Sequence, residues 1–587
     1  MLKFGFLFPI IILLFTRFNF KTWRVVRLFA HYVLLFSILD LILYYFPAPI
    51  YVFYPLLLII TLIEAGNLEH VINNDSNQSL AFIQFIFDPV FLKGSGITKR
   101  FFIRAGIIVL IAFVVSLIGF QVNDHILTSL IIMSFILHYS VKKSSLYPDW
   151  AQEGWIFFNL RYFFGKGKKV ETHLPKNVEY SSKMKLADEK YLQLVPREEG
   201  DGKWHEQSAN RNVLVIMVEG IGEHQLKNGW MPNLKRRSEA NVKVETFISH
   251  QRNTNRGVYS VLSGKHPNMV SQIAKPDMIA QYGKMETGLA EFLNTKGYHS
   301  LFIQAAPTVF MSKDRFLPQL GFKEVVGEEH FPKEIPRIKW GIDDKSLYKI
   351  ITEKLTTLKA SWFTTVLTVS THHPFQASDR KLGTPEEAFR YADEALEEFL
   401  LNLERAGILE NTMVMITSDE VAGDSSNFLT HNLGTLAVLT PEKTQKILTT
   451  PIGQSDLAFS ICDYLNFSDH PFHGRSLFRN YSTERPLYFA NIFQQKAFCY
   501  LDQKVLIKNY SGNAEVLSIS KLSLDESFKP YSGEVSFQKF NEFIEANDRD
   551  ISYLTNPVIM DVKKLDSSST GGAIKTGLKA GDKIKLT

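Results

Sequence analysis

Four apolar, strand-like runs each end in a residue suited to metal or phosphate chemistry, and this pattern limits the chain's fold more than any other feature. The runs are 213–218, 300–303, 362–369 and 413–417; they lead into Glu219, Gln304, the pair His372–His373, and Asp419 with Glu420. From about residue 210 they alternate with helical stretches at 286–296, 344–358 and 385–406, the last opened by Thr384-Pro385-Glu386-Glu387, an N-cap with proline and acids in the first turn. Strands alternating with helices predict a central, mostly parallel sheet covered on both faces. Ligands of open α/β sheets bind outside the carboxyl ends of the strands, so residues far apart in sequence can share one rim.

Each polar residue has an ordinary reading beside the chemical one. Glu219 precedes Gly220, which suits a metal ligand with close backbone approach; alone it reads as a solvated strand-end acid. Thr254, in the segment 251–257 (QRNTNRG), stands ahead of a predicted helix at 258–262, where a threonine is ordinarily an N-cap. The positive end of a helix also favours an alkoxide and any attached phosphate. A metal ion would depress the hydroxyl pKa further and yield a usable nucleophile. Adjacent acids such as Asp419 and Glu420 occur in metal sites and in helix caps alike. Histidines at a strand's carboxyl end, such as His372 and His373, suit ligands or phosphate contacts. His431 and His473 are further candidates, each structural when read alone.

A length of 587 residues exceeds a single core, and 65 Lys plus Arg against 60 Asp plus Glu leaves a net charge of +5, which requires no nucleic-acid partner. Cys462 and Cys499 are too few for a disulfide framework and read as buried thiols. The first 140 residues are apolar and rich in phenylalanine. Candidate membrane spans lie at 28–46, 50–65, 102–120 and 126–139, with weaker ones at 2–15 and 80–92; a bilayer needs at least ~17 residues, which 28–46 and 102–120 provide. No small-residue cleavage site follows 2–15, so that segment is expected to be retained. Arg17, Lys21, Arg24 and Arg27 argue for a cytoplasmic loop. The C-terminal part then falls outside if 80–92 crosses and inside if it does not. Asp40, within a span, reads as a helix–helix contact. Residues 144–169 mix aromatics with Arg161, Lys166, Lys168 and Lys169, as in a helix at headgroup level. The expected organisation is a transmembrane domain at 1–140, an interfacial helix and polar linker at 141–209, a catalytic domain at 210–485, and a C-terminal β-rich extension with a tail at 486–587.

In this order, the stretches 213–220, 251–264 (QRNTNRGVYSVLSG), 310–322 (FMSKDRFLPQLGF), 340–343 (WGID), 370–375 (STHHPF), 416–420 (ITSDE) and 473–478 (HGRSLF) resemble the sulfatase-like branch of the alkaline phosphatase superfamily. Within it they are most similar to the membrane-bound phosphoglycerol transferases of the lipoteichoic acid synthase type; related enzymes transfer phosphoethanolamine. The resemblance covers roughly residues 210–478. It implies a multi-span helical domain joined to an α/β sulfatase-like domain with a small C-terminal β extension. It makes Glu219, Thr254 and Asp419 metal ligands, with Thr254 also the nucleophile. It makes His372 a contact to the transferred headgroup and Trp340 part of the same pocket. Lys313 and Met311 stand where that type has arginine and tryptophan, and lysine lacks arginine's bidentate fork. Arg256, Lys313 and His372 would offset phosphate charge, and His372 or His373 would protonate the leaving diglyceride.

The largest departure is Glu420, which stands where the family has histidine. Either Glu420 completes an all-oxygen site with Glu219, Thr254 and Asp419, suited to Mn²⁺ or Mg²⁺ over Zn²⁺, or metal binding is lost. The resemblance implies an extracytoplasmic catalytic domain on a bacterial inner membrane, a phospholipid headgroup donor and an envelope glycan or glycolipid acceptor. A membrane-bound phosphodiesterase or sulfatase-like hydrolase, and an inactive relative acting in envelope assembly, are the alternatives.

Overall fold

The computed structural model describes residues 2–15, 25–45, 50–74, 77, 99–117, 124–141, 149–164, 189–205, 210–269, 287–359, 361–424, 427–509 and 514–547. The segments expected at 80–92 and 555–587, and the lysines at 166–169, lie outside these residues.

The described residues contain an eight-stranded sheet. Its strands are β1 (Asn212–Met217), β2 (Val242–Val244), β3 (His299–Gln304), β4 (Glu324–Val326), β5 (Trp362–Leu367), β6 (Thr412–Thr417), β7 (Ala437–Leu439) and β8 (Lys446–Leu448), in the order β8-β2-β7-β6-β1-β5-β3-β4. The block β6-β1-β5-β3-β4 is parallel, and β7 pairs antiparallel with both of its neighbours. The sheet is therefore mixed, with a parallel centre. Strand β1 is buried throughout. Val213, Val215 and Met217 enter one core while Leu214, Ile216 and Val218 enter the other, as the two-residue period of a strand covered on both faces requires.

The four apolar runs coincide with β1, β3, β5 and β6, and the capping box expected at Thr384 forms: Glu387 N donates to Thr384 Oγ1 at 3.2 Å. One helix starts earlier than expected. It runs over Thr254–Ser263 rather than 258–262, with Asn253 in the cap position. Thr254 is thus the first helical residue, and its hydroxyl does not serve as the cap. Both cysteines are buried free thiols.

Residues 189–205, expected to be part of a polar linker, pack against the sheet domain instead. Tyr191 is buried and its hydroxyl lies 2.9 Å from His266 Nδ1, Trp204 Nε1 donates to Leu477 O, and Gly202–Lys203 pairs with Arg479–Asn480. A few aromatic anchors in a polar stretch suffice to hold it down. Beyond the sheet domain, strands Leu487–Asn491, Lys496–Leu501, Lys504–Asn509, Ala514–Ser518 and Lys529–Pro530 form an antiparallel meander.

The N-terminal part contains helices α1 (Leu2–Phe15), α2 (Val25–Tyr45), α3 (Ile50–Asn74), α4 (Lys99–Leu117) and α5 (Asp124–Ser140). Among the described residues, no helix is long and apolar enough to cross a membrane. Polar contacts tie the helices together. Tyr32 donates to Glu64 Oε2 at 2.7 Å, and Arg27 Nη1 donates to His138 O and Val141 O at 2.8 and 2.7 Å. Asn67 bonds Asn77, which donates to Glu153 O, and the His70 ring lies 5.9 Å from that of Phe493. The start of α2 and the ends of α3 and α5 therefore all lie on the side of the sheet domain. Arg27 thus lies on the same side as residues 138–154, the arrangement expected from the sequence when 80–92 does not cross.

The helix Thr254–Ser263 meets the rim of the sheet at one glycine. A Cβ on Gly257 would stand 1.6 Å from the carbonyl oxygen of Asp419, so any side chain there forces the helix off the strand end. Gly257→Ala should lower the melting temperature by several degrees and abolish activity, as measured by thermal unfolding and turnover of the purified protein.

Candidate active site

Strands β6, β1 and β5 are neighbours, and in register Met217 lies beside both Thr417 and Leu367. Their carboxyl ends therefore deliver Asp419, Glu219 and the loop 368–373 to one place. The three ends are tied to each other: Glu219 N donates to Thr368 Oγ1 at 3.1 Å, Thr371 Oγ1 to Glu219 O at 2.6 Å, and Gly220 N to Asp419 Oδ1 at 3.2 Å.

The result is a cluster of acids, with Glu219 and Asp419 buried and Glu420 half-buried. Burial, followed by the Asp419 and Glu420 carboxylates, holds the Glu219 carboxyl well above the ordinary range. Burial and Asp419 push Glu420 up to about 8, opposed by the Arg252 guanidinium. Lys313 is buried among them; desolvation lowers its ammonium to about 8 against the pull of Glu219 and Asp419. The second oxygen of Asp419, Oδ2, is buried and has no hydrogen-bond partner.

Two further segments close on this cluster. Asn255, in the first turn of the Thr254 helix, donates to Met311 O at 3.1 Å. Met311 and Ser312 both adopt left-handed backbone conformations (φ 57° and 53°), turning the chain so that Lys313 begins the helix Lys313–Gln319. Non-glycine residues in that region carry on the order of 1–3 kcal/mol of strain each and concentrate at functional sites. On the opposite wall the Trp340 ring lies 4.6 Å from that of His372, and the indole Nε1 donates to His373 O at 2.8 Å. His372 Nδ1 lies 2.8 Å from the same carbonyl. An Nδ1–H donated there leaves Nε2 as the free nitrogen. Burial lowers the His372 pKa, and Asp419 and Lys313 are the charges that act on it.

The structure thus gathers Glu219, Asp419, Glu420, Lys313, His372 and Trp340 from the sequence expectation, with Thr254 half-buried at the head of its helix. It separates the two histidines. The charges acting on His373 are His372 and Lys339 rather than the acids, and burial takes it down to about 4. Arg256 is buried and donates Nη1 to Asn268 O at 2.7 Å, in the wall formed by the residues after its helix. Gln304, which also ends a strand, bonds the carbonyls of Ala306 and Pro307 and so holds a turn.

One positioning residue had no signal in the sequence. Gln454 is buried, accepts from His250 N at 3.1 Å, and donates to Ser418 O and Asp419 O at 3.0 and 2.8 Å. It thereby joins the segment before Thr254 to the end of β6. A lone glutamine between ordinary neighbours carries no pattern.

A divalent cation suits the chemistry of this donor set. The carboxylates repel one another, one carboxylate oxygen is unpartnered, and the buried ammonium beside them is single. Among the described residues, no three His, Cys, Asp or Glu side chains are assembled as a metal site.

Residues 211–438 match the sulfatase family. Over 162 residues the chain is 28% identical to lipoteichoic acid synthase 1 of Bacillus subtilis, covering 25% of each protein. Over 154 residues it is 29% identical to phosphoglycerol transferase I of Citrobacter koseri, covering 23% of this chain and 20% of that one. The matched segment thus spans a quarter or less of these relatives. A protein in the alkaline phosphatase superfamily from Vibrio parahaemolyticus shares the fold, with a TM-score of 0.53 at 17% identity over 65% of this chain and 96% of that one. The resemblance read from the seven motifs holds at the level of domain family and fold.

Lys313 is the buried cation that faces Glu219 and Asp419. Lys313→Met should therefore lower the melting temperature of the metal-free protein by at least about 2 °C, the shift that ~1 kcal/mol produces. Calorimetry with and without Mn²⁺ checks this, and the deficit should shrink when the ion is present.

Proposed function

We propose that this sulfatase-type domain transfers a phospholipid headgroup, phosphoglycerol in the first instance, to a hydroxyl of an envelope glycan or glycolipid. The observation that carries this reading is the convergence of a helix-head threonine, two buried acids with a half-buried third, and a buried lysine on one rim of the sheet. Thr254 is half-buried at the positive end of its helix, where developing negative charge on its oxygen and on an attached phosphoryl group is favoured.

The transfer has two steps. Thr254 Oγ bonds to phosphorus as the phosphorus–oxygen bond to the diglyceride breaks, and the proton lost by threonine ends on the diglyceride oxygen. An acceptor hydroxyl then attacks phosphorus, the bond to Thr254 breaks, and the acceptor's proton returns to threonine. His372, neutral near pH 7, presents Nε2 to take a proton. Lys313, titrating at about 8, is matched to donate one. Glu219, Asp419, Glu420 and the Thr254 hydroxyl would hold a hard divalent ion, Mn²⁺ or Mg²⁺, which supplies Lewis acidity at the phosphate. Trp340 and His372 would face the headgroup.

The helical half supports a membrane setting. Leu58, Ile59, Leu62, Phe102, Leu110, Ile132 and Ile136 on α3, α4 and α5 point outward, an apolar surface suited to lipid contact. We place the catalytic half outside a bacterial inner membrane, facing lipid headgroups.

Thr254→Ala should reduce headgroup transfer by at least about 10⁴-fold while leaving the melting temperature within about 2 °C. The check is intact mass after incubation with phosphatidylglycerol vesicles and Mn²⁺. Wild type should carry a phosphoglycerol adduct on Thr254 and the variant none; transfer by the variant at wild-type rate would refute the reading. Chelation should abolish turnover, and Mn²⁺ should restore it more fully than Zn²⁺.

A further inference from the structure

The loop that carries His372 is gripped at both ends by two adjacent aspartates at the head of the helix α6 (Asp344–Thr357). Asp344 is fully buried. Its Oδ1 accepts from Val369 N at 3.0 Å and from Ser370 N at 2.9 Å, and its own N donates to Ser370 Oγ at 3.0 Å. Asp343 Oδ1 caps α6 by accepting from Ser346 N at 2.9 Å, and Oδ2 accepts from Ser378 N at 2.7 Å. Between these anchors, Lys339 N donates to Gln376 Oε1 at 2.8 Å and Trp340 holds His373 O. The gripping segment is itself seated against the sheet. Gly341 has φ 141°, and a Cβ there would lie 2.0 Å from Ala305 O.

We propose that Asp344 is a positioning residue for the transfer reaction, setting the placement of His372 through the loop that leaves β5. The chain of contacts is short. Asp344 holds residues 369 and 370; Thr371, the next residue, donates to Glu219 O; His372 follows and packs at a tilt against Trp340. Two charge-assisted bonds from one carboxylate oxygen to consecutive amides fix the loop's exit from β5 more rigidly than packing alone. A carboxylate in the first turn of a helix is also favoured by the helix dipole. Oδ2 of Asp344 and the hydroxyl of Tyr348, one turn further along α6, are buried without hydrogen-bond partners, so an amide at position 344 can keep the Oδ1 contacts without breaking any bond at Oδ2.

This inference rests on the reading of His372 as a headgroup contact. The test uses the full-length protein in detergent or vesicles with phosphatidylglycerol as donor. Asp344→Ala should lower kcat by about 10- to 100-fold with KM within about twofold, the signature of misplaced reacting groups. Asp344→Asn should stay within about threefold of wild type. In a His372→Ala background, Asp344→Ala should add less than about threefold, because both act through one group. If Asp344→Ala does not fold, Ser370→Ala, which removes one of the three loop bonds, should still lower kcat by several-fold with KM unchanged. Wild-type kcat in Asp344→Ala, equal damage from Asp344→Asn, or full additivity with His372→Ala would each overturn the proposal. Wild-type activity in His372→Ala alone would instead overturn the functional reading on which it rests.

Discussion

Burying several carboxylates at one point is costly, and the sheet domain is organised around that cost. Glu219, Asp419 and Glu420 meet because the parallel neighbours β1 and β6 end side by side, and their mutual repulsion is offset within the protein chiefly by Lys313 and Arg252. Such an arrangement survives only if the surrounding backbone prevents the acids from moving apart. The bond that Thr368 accepts from Glu219 N and those that Thr371 and Gly220 donate to Glu219 O and Asp419 Oδ1 do so, together with Gln454 bridging to the carbonyls of Ser418 and Asp419.

The helix that begins at Thr254 gains its place through the same constraint. Its close approach to Asp419 is possible because residue 257 has no side chain, and Asn255 fastens its first turn to the strained Met311–Ser312 turn that presents Lys313. Nucleophile candidate, acids and lysine are therefore parts of one rigid unit rather than residues on independent loops. Preorganisation of this kind is what electrostatic catalysis requires, since dipoles fixed beforehand need not reorganise as charge develops.

The helical half is coupled to that unit. Arg252 lies over the ring of Phe493, with its guanidinium carbon 5.0 Å from the ring centre, and Phe493 in turn faces His70 at the end of α3. Asn77 and Glu153 continue the contact on the helical side.

Much of this was legible in the chain itself. Apolar runs of strand length located β1, β3, β5 and β6, because a strand buried on both faces must be apolar throughout. The polar residues that ended those runs marked the rim. Thr384 announced its capping box because that motif is local. Sequence alone decided which residue types stand at the strand ends, since this depends on period and punctuation along a few residues. Tertiary structure alone decided that His372 faces the acids while His373 does not, that Arg256 bonds the Asn268 carbonyl, that Gln454 and Asp344 hold the strand ends, and that Arg27 lies on the catalytic side of the helices. Each of these depends on contacts between segments distant in sequence, where the direction of a side chain is set by packing and not by its neighbours in the chain.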